Sequence, residues 1–197
     1  MEASNGLKAL LDELTSGDDE RAMAAVQKIV TYGRQALPAL QELHSADDKD
    51  SRWWATWALA EIPDPRVPGL LRKALHDPEI TVRQAAALAL RQQPDPQSIP
   101  DLIDCLRAED PILVNLCAAA LVATGSEAIP KLIHVLEESD IQTARLAAAR
   151  ALAMTGDERA MPALLAALGD DSALIEHWAN AGLDRMENGV ILFKPKG

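Results

Sequence analysis

Leucine recurs in this chain at Leu59, Leu90, Leu121, Leu152 and Leu183, spaced by 31 residues at every step. A small residue precedes each one (Ala58, Ala89, Ala120, Ala151, Gly182), and another stands four positions before it (Ala55, Ala86, Cys117, Ala148, Ala179). The spacing i, i+3, i+4 marks one face of a helix packed on its neighbours. A second series, Pro38, Pro68, Pro100, Pro130 and Pro162, keeps the same beat with steps of 30 or 32, and Leu follows two residues after each. A fixed period of this length means a stack of like units.

Each unit predicts two helices. Asp64-Pro65, Asp77-Pro78, Asp95-Pro96 and Asp110-Pro111 place a cap acceptor before a proline whose missing N–H is harmless at the first helical position. Gly125-Ser126 and Gly156-Asp157 join a helix-ending glycine to a cap for the next helix. No segment alternates with the period of a strand. Six helix pairs are expected, at residues 3–32, 34–62, 65–92, 96–124, 126–155 and 158–187. One pair alone has nothing to cover its apolar face, so the pairs must stack. The fold expected is all-α: a right-handed α-solenoid forming one domain over residues 1–187. In the tail "NGVILFKPKG", residues 188–197, Asn188-Gly189 is expected to end the last helix, and Ile191 and Phe193 to fold back over it as a cap.

The stretches "DPEITVRQAAALALRQQPDPQSIPDLIDCL" and "TARLAAARALAMTGDERAMPALLAAL" carry VR-x-x-AA-x-AL followed by GD-x-x-A-x-P-x-L. In this the chain resembles HEAT-like repeats of the phycobilisome-lyase type, from about residue 18 to residue 187. The resemblance is specific for fold. For function it implies several things, because such repeats occur in bilin lyase subunits, in scaffolds and in a few enzymes of unrelated chemistry.

Comparing the repeats with one another exposes a charged pattern. Arg52, Arg83 and Arg145 share one repeat position, and twelve residues after each comes Asp64, Asp95 or Asp157. Where the arginine is absent, at Val114 and Glu176, the aspartate is absent too, at Ser126 and Asn188. The joint loss predicts a structural Arg–Asp ladder, with Arg83 and Asp95 as one rung.

Three of the four tryptophans crowd into "SRWWATWALA", residues 51–60, in a chain with one Tyr and one Phe. At about 100° per residue from Arg52, Ala55, Ala58 and Leu59 fall at about 300°, 240° and 340°, while Trp53, Trp57 and Trp54 fall at about 100°, 140° and 200°. The rings share the face opposite the packed one. The resemblance implies that these positions line the concave surface of the solenoid. The same register then gives Gln84, Ala85 and Leu88, next Asn115, Leu116 and Ala119, next Leu146, Ala147 and Arg150, and last His177, Trp178 and Ala181. Trp53 and Trp57 are expected to anchor a partner, since Trp is enriched in binding hot spots. Trp54, nearest the contact between repeats, has sideways packing against Met23, Val26 or Leu88 as its alternative. The candidate partner-binding set is Trp53, Trp54, Trp57, Gln84, Leu88, Asn115, Leu116, Arg150, His177 and Trp178.

Charge narrows the partners. A formal net charge of -11 and an isoelectric point near 4.7 repel phosphate backbones and anionic lipid surfaces. Neither nucleic acid nor membrane is expected. The longest apolar run, Leu116 to Ala123, is too short to span a bilayer, and a cytoplasmic protein is expected. Cys105 and Cys117 read as buried free thiols, not a disulfide framework. His44, His76, His134 and His177 lie at different repeat positions, and no HExxH, GxSxG, phosphate-binding loop or GxGxxG occurs. The repeated His-Glu motifs of the HEAT-repeat hydroxylases are missing, with only a reversed Glu176-His177. No metal, cofactor or catalytic residue is expected. Two function classes remain. The first is a non-catalytic scaffold that grips a helix or extended segment of a protein in the Trp-lined groove, with a homodimer through the same patch also possible. The alternative is a bilin-lyase-like subunit holding a tetrapyrrole, whose propionates Arg150 and His177 are the pair suited to meet.

Overall fold

A computed structural model describes the backbone of residues 2–191 and the side chains of residues 5–187. Twelve α-helices and no strand occur among the described residues. They form six antiparallel pairs: α1 (Glu2–Leu14) with α2 (Asp19–Val30), α3 (Leu37–Leu43) with α4 (Lys49–Ala60), α5 (Val67–Ala74) with α6 (Ile80–Gln92), α7 (Ile99–Cys105) with α8 (Pro111–Ala123), α9 (Ile129–Glu138) with α10 (Gln142–Thr155), and α11 (Met161–Ala167) with α12 (Ala173–Ile191). The chain divides into two compact units, Met1–Pro94 with α1 to α6 and Asp95–Gly197 with α7 to α12. In the first unit the second helices of the pairs, α2, α4 and α6, pack in a row; in the second, α8, α10 and α12 do so, with α7, α9 and α11 in a parallel row. Stacked helix pairs are the architecture of an α-solenoid.

The two periodic series account for this packing. Pro38, Pro68, Pro100, Pro130 and Pro162 each stand in the first turn of the first helix of a pair, where an amide would have no partner anyway. Leu59, Leu90, Leu121 and Leu152 are fully buried, as are Ala55, Ala58, Ala86, Cys117, Ala120 and Ala148. Leu183, on the last helix, is half-buried. Gly182 is the tightest point. A Cβ there would lie 2.8 Å from Leu164 Cδ1 and 3.0 Å from Ala153 Cα, so α12 approaches α10 and α11 closer than even alanine permits. No single helix among the described residues is long and apolar enough to cross a membrane.

Several local expectations change. Asp110 does cap α8, accepting from the Leu113 amide at 2.6 Å, and Asp95 caps a short 3-10 turn, Pro96–Ser98. Asp64 and Asp77 are not helix caps: α5 and α6 begin after Arg66 and Glu79. Gly125 and Gly156 take the left-handed conformation at the ends of α8 and α10, with φ of 71° and 63°. Asn188-Gly189 does not stop the last helix, because α12 runs on to Ile191. A glycine inside a helix costs only about 1 kcal/mol, too little to end one by itself. Phe193 and the expected cap lie outside the described residues, as does the side chain of Ile191.

The charged ladder is real but pairs differently. Arg52 stands in the first turn of α4 and Asp64 beyond its last, and the eight residues of helix from Arg52 to Ala60 alone span about 12 Å. Arg52 instead forks onto Asp77, 25 residues on, through Nε at 2.7 Å and Nη2 at 3.0 Å, and donates to the carbonyls of Ala46 and Asp47. Arg145 repeats the arrangement with Asp170, at 3.4 Å, and the carbonyl of Ser139. Arg83 donates to the carbonyls of Asp77 and Pro78, while Asp95 accepts from the amide of Gln97 in its own turn. The aspartates twelve residues on serve the next turn: Asp64 and Asp157 bind Arg66 and Arg159, which hold both carboxyls down to about 2.

Burial pushes the Asp77 carboxyl toward its neutral form, but hydrogen bonds from Arg52 and the Glu79 amide prevail and hold it below the ordinary carboxylate value. Removing Arg52 would strand that carboxylate. Arg52→Ala should lower the urea-unfolding free energy by about 3–5 kcal/mol, and replacing Arg52 and Asp77 together should cost less than the sum. A carboxyl more acidic in the folded chain stabilises it above the unfolded value of about 3.9 and loses that contribution as pH falls through the folded value. Asp77→Asn should therefore flatten the acid limb of the stability curve below about pH 4. Gly182→Ala should lower the melting temperature through overpacking worth about 1–3 kcal/mol, read by calorimetry.

Candidate functional site

In the first unit the outward face of α4 is built from its cap upward. Asp48 caps the helix, its carboxylate accepting from the Ser51 amide and hydroxyl, both at 2.7 Å, and these bonds keep it below the ordinary carboxylate value. Together with the Arg52 fork they fix the rotation of α4. Trp53 and Trp57, one turn apart, stack with ring centroids 5.4 Å apart and planes 20° from parallel. Trp54 meets Trp53 edge-on at 4.8 Å. Only Trp54 is buried, at 8% exposure; Trp53 and Trp57 are half-buried. Trp57 lines a cleft of about 410 Å³ with Met23, Val26 and Val30 of α2, and on its other side a narrow crevice with Ala85 and Leu88 of α6. Gln84 is half-buried on the same helix. A larger cleft, about 610 Å³, is lined by Trp53 and Trp54 with Met23, Asp19, Asp48 and Asp50. None of these four carboxylate and thioether positions is part of the repeat signature, and sequence reasoning missed the carboxylates; the acidic first turns of α2 and α4 were the available signal.

The second unit gathers the other candidates. Arg150 on α10, half-buried, donates from Nη2 to Asn115 Oδ1 on α8 at 2.6 Å. Among the described residues Arg150 enters no ion pair. On α12, packed against α10, Trp178 is half-buried and the exposed His177 ring meets it edge-on at 5.6 Å. Leu116 is half-buried, and of the small residues of the register on α8, α10 and α12, Ala119 and Ala181 are half-buried and Ala147 is buried.

Other chemistry-bearing groups are structural. No cluster of three or more His, Cys, Asp or Glu able to hold a metal occurs among the described residues. Cys105 and Cys117 are free and buried, and a hydrogen bond between their thiols, with burial, pushes the Cys117 thiol far up, so it is no nucleophile at neutral pH. His44 has a buried Nε2 without a partner, and burial holds its pKa below the ordinary value against the pull of Asp77.

Comparison with known proteins adds the rest. A family model described as HEAT repeats matches residues 7–91, 38–123, 67–143 and 115–184. The chain is 25% identical over 166 residues, 79% of its length and 82% of the relative's, to an uncharacterized phycocyanin operon protein Z of Pseudanabaena tenuis (strain PCC 7409). It is 37% identical over 82 residues to a phycocyanobilin lyase subunit beta of the same organism, covering 41% of this chain but only 29% of that protein. Among solved structures, the complex of CpcE and CpcF of phycocyanin lyase from Nostoc sp. PCC7120 is similar with a TM-score of 0.60 at 19% identity, over 75% of this chain and 98% of that one; at that identity the likeness is one of fold. The expectation of a non-catalytic protein is overturned by the relative named as a phycocyanobilin lyase subunit, which favours the bilin-lyase-like alternative over a plain scaffold. No catalytic motif announced this, because a solenoid assembles a site from positions that vary between repeats, with no local spacing to detect.

Proposed function

The chain belongs to the HEAT-repeat family, and we propose that it is a bilin-lyase-like subunit that holds an open-chain tetrapyrrole and works beside a partner protein. The observation that carries the assignment of its ligand surface is the Arg150–Asn115 pair. In a chain of net charge -11, a half-buried arginine held by an amide and by no carboxylate keeps its charge available for an anion. A propionate is such an anion, and a guanidinium suits it because two parallel N–H donors match a carboxylate. Trp178 on the neighbouring helix offers a flat face to a conjugated ring, and the exposed His177 ring beside it offers nitrogens that can hydrogen-bond a ligand. Ala119, Ala147 and Ala181 put no bulky side chain at the corresponding positions of α8, α10 and α12.

The Trp53–Trp57 face suits a bilin less well despite its stacked indoles. Asp19, Asp48, Asp50 and Glu61 line its clefts and would repel propionates. The charge of each surface decides between them.

Titrating purified protein with phycocyanobilin, the bilin in the name of its relative, should shift and sharpen the visible absorption band. Arg150→Gln should weaken that binding by about 1.5–3 kcal/mol, the worth of a charged hydrogen bond, with the melting temperature unchanged. Absence of any spectral change, or one indifferent to both Arg150→Gln and Trp178→Ala, would refute the assignment.

A further inference from the structure

A groove of opposite character to the Arg150 surface runs along α4 in the first unit, between that helix and α2. It opens as the cleft of about 610 Å³ near the start of α4 and the cleft of about 410 Å³ near its end. Met23, 43% exposed, lines both, and Trp53 and Trp57 stand in file along it. Carboxylates mark both ends, with Asp19, Asp48 and Asp50 in the first cleft and Glu61 in the second. No Lys, Arg or His lines either one; Lys49, between Asp48 and Asp50 in the chain, lines neither.

We infer that this groove binds a basic, extended segment of a partner protein, with apolar side chains on Trp53 and Trp57 between two cationic residues about five positions apart. The spacing follows from geometry. Asp50 and Glu61 are eleven helical residues apart, about 16 Å, which an extended chain spans in about five residues at about 3.3 Å each. The aromatic faces attract a cation as well as an aliphatic stem, so an arginine or lysine satisfies both features of the groove. Met23 adapts to the side chain laid on it. The dipoles at the starts of α2 and α4 offset part of the field of Asp19, Asp48 and Asp50, leaving Trp53 and Trp57 as the anchors and the carboxylates as selectors of charge. An acidic segment or a bilin propionate would meet like charges here, and so would a second copy of a chain of net charge -11.

The inference rests on the proposal that this chain works beside a partner protein, and it fails separately from the bilin assignment. The test uses the whole protein and fluorescein-labelled peptides with the core Arg-Val-Leu-Ala-Leu-Arg, or with Gln or Glu in place of both Arg, followed by anisotropy. The Arg peptide should bind and weaken as salt is raised. Trp57→Ala should weaken it about thirtyfold, and Asp50→Asn by up to about fivefold. Asp50→Lys should move the preference toward the Glu peptide. Asp50 is an exposed side chain in a first turn, so the charge series stands even if Trp57→Ala unfolds the protein. Equal binding of the Gln peptide, preference for the Glu peptide by the unaltered protein, blockage of the groove by self-association, or displacement of the Arg peptide by phycocyanobilin would each overturn it. Loss of peptide binding with the bilin band shift intact rejects this inference alone; peptide binding without any band shift rejects the bilin assignment alone.

Discussion

Everything in this protein depends on how closely the second helices of its pairs approach one another. Alanine at Ala55, Ala58, Ala86 and Ala89, or Cys117 and Ala120, leaves each helix flat enough for its neighbour, and one leucine per repeat fills the space that remains. At Gly182 even a methyl group is too much. Such packing makes van der Waals contact dense along the row, which is why helices of seven or eight residues, too short to persist alone, are stable in it.

Polar ties run alongside the apolar ones. Arg52 and Arg145 each join the loop before their helix to the loop of the following pair. At the other end of the helices the carbonyls left open are closed from the next repeat: Gln93 donates to Ile62 at 3.2 Å and Arg185 to Met154 at 3.1 Å. In these two places one repeat finishes the helix end of the one before it. The acidic turn at Asp77 belongs to this framework, and so does the half-buried His44, on which its carboxylate acts.

With packing and caps assigned to one side of each helix, the opposite side is free to differ from repeat to repeat. The first unit uses it for stacked indoles rimmed by carboxylates, the second for a guanidinium on α10, held by an amide, and an indole on α12. The two surfaces differ in charge: carboxylates rim the first and a guanidinium marks the second. Under the two readings proposed, an anionic chromophore and a basic partner segment would each meet a different unit.

Residue order alone determined the helix pairs, because the repeating Leu, Ala and Pro positions are a one-dimensional signal that survives without knowledge of contacts. It also placed the indoles of α4 on one face, since that needs only about 100° per residue. Tertiary structure decided what the order left open. It sent Arg52 to Asp77, 25 residues on, because a rigid helix holds Asp64 out of reach and the next repeat brings a loop close. It buried Trp54 while leaving Trp53 and Trp57 half-open, since exposure depends on where α2 and α6 lie and not on angle alone. And it brought Asn115 to Arg150, 35 residues apart, and ringed the indoles with Asp19 and Asp50, because a site made across stacked helices is a property of their spacing, which no single stretch of chain encodes.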